Sequence, residues 1–375
     1  RAISLFNQCA MHQETVAKAL YWRHSIDKTL SDDEINTLIN MLAPAAPLNT
    51  HSVIYAAFCL FQHFDHLNND EQAWHYLTLA NSLKHQHLTH HSSFNIKQEL
   101  NEHQQIPAYF PQALINCRSG FAAATTSPAS IFICGLPRSG TTLTEQILSA
   151  HELVCAGDEL FSLAQASNSV LEEQSITTNF PAWANLLEDG HWRDIGTNYQ
   201  ALIQPLLNTD NKALWLTDKM PLNYKAIGII RLALPDAKIV YCRRNPIDLL
   251  FGCFKQLLGE GNAYCYQLDE LCEVIIAHHR VMKHWLSVCP EQIHVFDYEQ
   301  LLANQELVTR QLLEFIGLEW QPECLHFHLN ERIVHTVSNV QIRRPLFKST
   351  NKAWQPYKQH LPPYIERFRN AGLLV

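Results

Sequence analysis

The sequence lacks several features that would place it in a familiar class. No apolar run approaches the roughly 18 consecutive residues that a membrane-spanning helix needs. Only 17% of the residues are charged, and the formal net charge is −8. A general surface for nucleic acid or for an anionic membrane is therefore not expected. With 47% hydrophobic residues in a chain of 375, the composition is instead typical of a folded globular protein with one large or two modest domains.

Cysteine and histidine spacing argues against a metal site. The eleven cysteines include no C-x-x-C pair of the kind that binds zinc or exchanges disulfides. Because their number is odd and several, such as Cys134 and Cys242, lie in predicted strands, we expect reduced, buried thiols and a cytoplasmic location. His87 and His91 have the i, i+4 spacing of metal ligands on a helix, but their segment supplies no carboxylate or thiol. We therefore predict no metal site.

The most informative segment is a strand, a glycine-bounded loop and a helix in direct succession. The apolar run Ile131–Cys134 predicts a buried strand, and the residues after Gly140 have the composition of a helix. Gly135 and Gly140 have the spacing of a P-loop, in which backbone N–H groups and a helix N-terminus bind phosphate. Thr141 occupies the position of the P-loop lysine, and the loop carries Arg138 as its cation. We expect a phosphate-like group here without ATP or GTP hydrolysis; an ordinary strand–turn–helix junction is the alternative.

A second strand leads directly into a pair of arginines. The run Lys238–Cys242 predicts a strand, and Arg243 and Arg244 follow it. Open α/β sheets bind their ligands at the carboxyl ends of the strands. These two guanidinium groups are therefore candidates for binding a second anionic group.

Strands alternate with helical segments from residue 131 onward. The predicted strands are Ile131–Cys134, Leu153–Cys155, Leu214–Leu216, Lys238–Cys242 and His294–Phe296. This alternation predicts an α/β fold, a P-loop-like doubly wound parallel sheet with helices on both faces. Residues 159–212 are polar and helical in composition, and we expect them to form an insertion over the site.

Residues 1–118 are predicted to form a small all-α region, followed by a catalytic domain over residues 119–375. Ser52–Gln62 and Glu71–Leu83 have apolar faces at helical period and are joined by a polar turn, which is the pattern of a tetratricopeptide unit. Residues 29–50 are a candidate partner helix pair. The polar, proline-containing segment Asn101–Ser130 is predicted to connect the helical region to the catalytic domain.

Several motifs, in a consistent order, resemble one family. They are Gly135-Leu-Pro-Arg-Ser-Gly-Thr-Thr142, Ala156-Gly-Asp-Glu159, Thr217-Asp-Lys-Met-Pro-Leu-Asn223, Cys242-Arg-Arg-Asn-Pro-Ile-Asp248 and Gln341-Ile-Arg-Arg-Pro345. Together they resemble the sulfotransferases, and most closely bacterial sulfotransferases with tetratricopeptide repeats that are related to the tyrosylprotein sulfotransferases. The resemblance implies transfer of a sulfuryl group from 3′-phosphoadenosine 5′-phosphosulfate to a hydroxyl, without a metal. It leaves open whether the acceptor is a protein tyrosine, a saccharide or a small molecule.

The resemblance implies catalytic roles for three residues. Arg138 would hold the 5′-phosphosulfate, and Lys219 would steady negative charge on the bridging oxygen as its bond breaks. Glu159 would be the base for the acceptor hydroxyl. Asp158 and, less well, His151 are the alternatives for the base.

The same resemblance implies which residues bind the donor. For the 5′-phosphosulfate they are Pro137, Arg138, Ser139, Gly140, Thr141 and Thr142. For the 3′-phosphate, Arg244 is the first candidate, and Tyr298 matches a family tyrosine near the cofactor. Gly252 stands where the family has a serine that binds the 3′-phosphate, and Arg343 and Lys352 are candidates for completing the phosphate site.

Two other functions stay open on the sequence. A P-loop kinase or NTPase is disfavoured by Thr141 in place of the lysine and by the lack of a clear Walker-B carboxylate after a strand. A catalytically weakened binding protein with the sulfotransferase fold is kept open by Gly252, and its helical region would then contact protein partners. Asn339 also replaces a serine of the tyrosylprotein relatives, but its amide can still donate a hydrogen bond.

Overall fold

A computed structural model of the chain describes residues 2–10, 12, 15–43, 50–91, 94–117, 129–207, 212–259, 261–330, 343, 345–346 and 352–374. The chain falls into two compact units. Unit 1 comprises Arg1–Ile96, Leu250–Glu273 and Ala353–Val375, and unit 2 comprises Lys97–Leu249 and Val274–Lys352. The division at residue 118 into a helical region and a catalytic domain stays a prediction.

The strands of the described residues lie in unit 2. They are β1 (Ala129–Cys134), β2 (Val154–Ala156), β3 (Trp215–Asp218), β4 (Lys238–Arg243) and β5 (Ile293–Asp297). They form a parallel sheet in the order β2-β3-β1-β4-β5, with β1 in the centre. All the predicted strands are therefore confirmed, and the sheet is parallel as predicted.

The helices of the described residues fill the segments between these strands and most of the first hundred residues. In chain order they are α1 (Ala2–Cys9), α2 (Val16–Asp27), α3 (Asp32–Met41), α4 (Thr50–His66), α5 (Asp70–His91), α6 (Ile96–Tyr109), α7 (Gln112–Cys117), α8 (Thr141–Leu148), α9 (Ser162–Glu173), α10 (Asp189–Leu207), α11 (Ile227–Ala233), α12 (Pro246–Phe254), α13 (Leu268–Val288), α14 (Tyr298–Ala303), α15 (Gln305–Ile316) and α16 (Pro362–Asn370). No described helix is long and apolar enough to span a membrane.

The central strand β1 is covered on both faces, because its alternate side chains point to opposite sides. Ile131 and Ile133 belong to a buried cluster that also contains Ile147 of α8. On the other face, the ring of Phe132 lies 5.5 Å from that of Tyr199 in α10. The predicted α/β class with helices on both faces is confirmed.

In unit 1, helices α4 and α5 contain the two segments predicted as an amphipathic pair. They are joined by a tight turn in which Asn68 has a positive φ of 55°. The prediction of a helix pair over residues 29–50 needs correction, because the described residues 29–43 hold the single helix α3. That helix starts at a capping box formed by Ser31 and Glu34, which fixes its first turn.

The described residues of the predicted connector Asn101–Ser130, up to Cys117, are mostly helical, which agrees with the all-α prediction for residues 1–118; the role of the segment as a connector stays a prediction. Helix α6 passes through Pro107, and α7 follows after a short break. Ile106 and Phe110 are fully buried, so the burial of an apolar face outweighs the polar composition and the proline. Residues 118–128 lie outside the described part of the chain.

Candidate active site

Each strand of the sheet leads into one of the predicted site residues at its carboxyl end. Strand β1 runs into the loop that carries Arg138, and β2 ends shortly before Glu159. Lys219, Arg244 and Tyr298 directly follow β3, β4 and β5. Because all the strands are parallel, these ends lie at the same edge of the sheet.

Glycine is required at both ends of the loop between β1 and α8. The φ of Gly135 is 150°, and a Cβ atom there would lie only 2.7 Å from both the Cys242 carbonyl oxygen and Ser139 Oγ. The φ of Gly140 is 109°, in the left-handed region that favours glycine. The Gly135 N–H donates to the Pro221 carbonyl at 3.0 Å, which joins the loop to the segment that follows β3.

The loop between β1 and α8 is a tight turn that opens directly into a helix. Arg138 has a positive φ of 70°, so a non-glycine residue occupies the left-handed region within the loop. Ser139 is 1% exposed, and its Oγ has no hydrogen-bond partner among the described residues. Thr141 and Thr142 begin α8 and are buried. The predicted strand, glycine-bounded loop and helix are therefore present, while the binding of phosphate to the loop stays a prediction.

Glu159 and Lys219 form an ion pair at the ends of β2 and β3. Lys219 Nζ donates to Glu159 Oε1 at 2.7 Å. The Lys219 side chain is 0% exposed and the Glu159 side chain is 46% exposed, so a buried ammonium group meets a carboxylate that water and a substrate can reach. The backbone strengthens the pairing, because the Lys219 N–H donates to the Asp158 carbonyl at 2.9 Å.

The two alternative bases are engaged differently. His151 is 2% exposed; its Nδ1 accepts from the Leu153 N–H at 3.1 Å, so Nε2 carries the proton and donates to the Glu319 carbonyl at 3.0 Å. Both ring nitrogens are thus engaged in hydrogen bonds with backbone groups, which argues against His151 as the base. Asp158 contacts Lys219 through its backbone, whereas Glu159 contacts it through its carboxylate.

A second carboxyl group, Asp218, is buried beside the pair. Tyr199 Oη donates to one of its oxygens at 3.3 Å and Asn223 Nδ2 to the other at 3.2 Å. Burial raises the pKa of Asp218 to about 8, although both donors and the Lys219 charge act in the opposite direction. Asp218 therefore binds a proton far more tightly than an exposed aspartate does.

Arg244 lies between the loop and Tyr298. Its Nη1 donates to the Arg138 carbonyl at 2.9 Å, and its guanidinium carbon lies 4.4 Å from the centre of the Tyr298 ring. The Tyr298 ring also approaches Gly140, where a Cβ atom would lie 3.1 Å from it. Arg244 Nε is buried without a hydrogen-bond partner in the described part of the chain. The two anion sites expected from the sequence are thus in direct contact, whereas Arg243 pairs with Asp297 instead.

Two other residues predicted to bind the phosphates, Lys352 and Arg343, do not contact the loop or Arg244 in the hydrogen bonds described below. The Lys352 N–H donates to Asp248 Oδ1 at 2.7 Å, which holds Lys352 at the start of α12, just beyond Arg244. Arg343 Nη1 donates to the Asn330 carbonyl at 2.6 Å, and the Asn330 amide reaches Ser149 at the far end of α8 from the loop. The roles of both cations stay predictions.

Gly252 lies on α12 in unit 1 and is half-buried, so its proposed place at the 3′-phosphate stays a prediction. Asn339 lies outside the described residues. So does most of the motif Gln341–Pro345.

Sequence reasoning missed two buried acids of the site, Glu145 and Asp218. Asp218 carried a usable signal, because an acid at the end of an apolar strand is expected either to bind a ligand or to be paired. Glu145 gave none, since a glutamate on an amphipathic helix is ordinarily exposed. It is in fact 0% exposed.

The profile of the sulfotransferase family matches residues 128–322, more than half of the chain. This chain therefore belongs to the sulfotransferase family. The matched range contains the loop, the Glu159–Lys219 pair, Arg244 and Tyr298.

The chain is also similar to individual proteins and solved structures. The chain is 28% identical over 353 residues to an uncharacterized protein of Aquifex aeolicus, covering 91% of this chain and 44% of that protein. It is 26% identical over 249 residues to protein-tyrosine sulfotransferase A of Caenorhabditis elegans, covering 61% and 60%. Among solved structures it resembles the sulfotransferase domain from the curacin biosynthetic pathway, at 19% identity and a TM-score of 0.42, over 62% of this chain and 99% of that one. The chain thus spans between two-fifths and two-thirds of the length of these two sequence relatives.

Proposed function

We propose that this protein transfers a sulfuryl group from 3′-phosphoadenosine 5′-phosphosulfate to an acceptor hydroxyl. The observation that carries the proposal is the contact at 2.7 Å between the buried ammonium of Lys219 and the half-exposed carboxylate of Glu159. This pair stands at the sheet edge that also carries the phosphate loop. Family membership supplies the reaction class.

The residues present fit the donor. Ser139 Oγ and Arg244 Nε are buried polar atoms without a hydrogen-bond partner in the described ranges, and such atoms are rare unless a ligand or water satisfies them. The loop ends at the N-terminus of α8, where the helix dipole and free backbone N–H groups favour negative charge. Arg138 and the loop residues Pro137 to Thr142 would hold the 5′-phosphosulfate, and Arg244 with Tyr298 the 3′-phosphate.

When bound, 3′-phosphoadenosine 5′-phosphosulfate supplies the sulfuryl group, and 3′-phosphoadenosine 5′-phosphate is the product. Glu159 accepts the proton of the acceptor hydroxyl as the oxygen attacks, since its carboxylate is the exposed member of the pair. Lys219 places a fixed positive charge in a buried position, where electrostatic stabilisation of a departing oxygen is strongest. Its contact with Glu159 holds both groups in one orientation before the acceptor arrives.

The acceptor is the least constrained part of the proposal. Because named relatives are protein-tyrosine sulfotransferases, a tyrosine hydroxyl of a protein or peptide is the first acceptor to test, followed by saccharides and small phenols. The pair α4 and α5 would supply protein contacts, as a tetratricopeptide-like unit does. Cys59, Cys134, Cys242, Cys265 and Cys324 are buried thiols outside any disulfide, which supports a cytoplasmic location.

The test is a transfer assay with donor radiolabelled in its sulfuryl group, run in EDTA with a tyrosine peptide, a saccharide and a small phenol. The proposal predicts label in at least one acceptor and equal release of 3′-phosphoadenosine 5′-phosphate, both lost in Glu159→Gln. Binding of donor without transfer to any acceptor would favour the weakened binding protein. Magnesium-dependent hydrolysis of ATP would favour a P-loop NTPase.

A further inference from the structure

Glu145 is a buried carboxylate beside the turn that precedes Glu159. It lies on α8, the helix that the phosphate loop opens, and is 0% exposed. A glutamate is almost never fully buried unless its oxygens are bonded.

A single oxygen of Glu145 accepts hydrogen bonds from two neighbouring segments of the chain. Oε1 accepts from the Asp158 N–H at 3.0 Å and from Thr217 Oγ1 at 2.7 Å. Asp158 directly precedes Glu159, and Thr217 lies two residues before Lys219. One atom on the phosphate-loop helix therefore ties together the backbones that carry the two reactive side chains.

The turn before Glu159 is tightly built around this contact. Asp158 has a positive φ of 61°, which a non-glycine residue keeps only where its surroundings impose it. The Gly157 N–H donates to the carbonyl and to Oγ1 of Thr217, and a Cβ atom at Gly157 would lie 2.3 Å from that carbonyl. The two strand ends thus approach as closely as backbone allows, and the Glu145 carboxylate bonds to both of them.

We infer that Glu145 is a positioning residue: it fixes the turn of Glu159 and the strand end of Lys219 relative to the phosphate-loop helix, so that the pair is aligned with the bound donor. The inference rests on the proposed function. In this role Glu145 neither contacts the substrate nor transfers a proton. Its effect is expected in turnover rather than in donor affinity, because misplacing a reacting group by about 1 Å can cost about a hundredfold in rate.

Two substitutions of Glu145 distinguish the role of its hydrogen-bonding oxygen from the role of its size and shape. Glu145→Gln keeps an Oε1 that can accept both hydrogen bonds, whereas Glu145→Met keeps the shape and loses both. We expect Glu145→Met to lower kcat by about tenfold or more, with Kd for 3′-phosphoadenosine 5′-phosphate within about threefold, and Glu145→Gln to stay within about threefold of wild type in both. Glu306→Met, at an exposed glutamate of α15, is the matched control and should match wild type.

A non-additive combination distinguishes positioning from general destabilisation. In a Glu159→Gln background, Glu145→Met should cost clearly less than it does in wild type, because the part of its effect that acts through Glu159 is already lost. Wild-type kcat in Glu145→Met, equal losses in the Met and Gln variants, or a fully multiplicative loss in the double variant would overturn the inference. Should Glu145→Met not fold, Thr217→Val removes one of the two hydrogen bonds without touching Glu145 and should give an intermediate loss of kcat.

Hydrogen–deuterium exchange supplies a readout that needs no activity. Peptides covering residues 157–159 and 217–220 should exchange faster in Glu145→Met than in wild type and at the wild-type rate in Glu145→Gln. If the wild-type protein transfers no sulfuryl group, the proposed function fails, and this exchange pattern still decides whether Glu145 holds the two strand ends. Unchanged exchange in both variants would show that it does not.

Discussion

The ion pair of Lys219 and Glu159 predicts an asymmetry between its two halves. Lys219 is fully buried, whereas 46% of the Glu159 side chain is exposed. Replacing Lys219 by Met puts an apolar chain of similar length into the buried position and leaves the carboxylate in water, so stability should change by no more than about 1 kcal/mol. Replacing Glu159 by Gln leaves a buried ammonium bonded to a neutral amide. A bond to a charged partner contributes about 1.5–3 kcal/mol and a neutral one about 0.5–1.5, so about 1–2 kcal/mol of stability is lost.

Turnover should fall in both variants. Loss of the fixed positive charge in Lys219→Met is expected to lower kcat by about 10²–10³-fold. Loss of the base in Glu159→Gln is expected to lower it by about 10²–10⁴-fold. The assay is thermal unfolding of both variants beside steady-state sulfuryl transfer, with Glu306→Met as the surface control. Turnover of Lys219→Met within about threefold of wild type, or a Lys219→Met variant less stable than Glu159→Gln, would refute the reasoning.

Two further predictions concern donor binding and pH. Arg244→Lys keeps the charge but loses the planar group that stacks on Tyr298 and donates to the Arg138 carbonyl, so calorimetry should show about tenfold weaker binding of 3′-phosphoadenosine 5′-phosphate; unchanged affinity would remove Arg244 from the site. Burial lowers the pKa of His278 to about 3, so below its ordinary pKa the unfolded chain binds the proton and the folded chain does not. Stability should therefore fall with decreasing pH by up to about 1.4 kcal/mol per unit from this residue, and His278→Phe should flatten the slope of urea unfolding free energy between about pH 6 and 4. An unchanged slope would contradict the assignment.

The strands, and the sheet edge at which their carboxyl ends meet, could be predicted from the sequence. Ile131–Cys134 and Lys238–Cys242 are apolar runs flanked by turn residues, so burial on both faces alone identifies them as strands. Once the sheet is parallel, the residues after each strand must meet at one edge. That is why Glu159 and Lys219, which are 60 residues apart, lie at the same edge, although their ion pair was not predicted from the sequence.

What the sequence could not predict depends on contacts between distant segments. Glu145 bonds Thr217 across 72 residues, and nothing in an amphipathic helix distinguishes a buried glutamate from a solvated one. The segment around Pro107 is helical, as the all-α prediction for residues 1–118 expects, although its polar, proline-containing composition also favours a linker. The buried Ile106 and Phe110 outweigh that preference once the chain is folded.

The central claim is that the sheet edge binds a 3′,5′-bisphosphorylated nucleotide rather than a nucleoside triphosphate. The most direct measurement is calorimetric titration of the wild-type protein with 3′-phosphoadenosine 5′-phosphate in EDTA, compared with ATP in magnesium. The loop without a lysine and the adjoining Arg244 predict one site that needs no metal and prefers the bisphosphate by about tenfold or more. Equal or tighter binding of ATP, or bisphosphate binding that requires magnesium, would contradict the account.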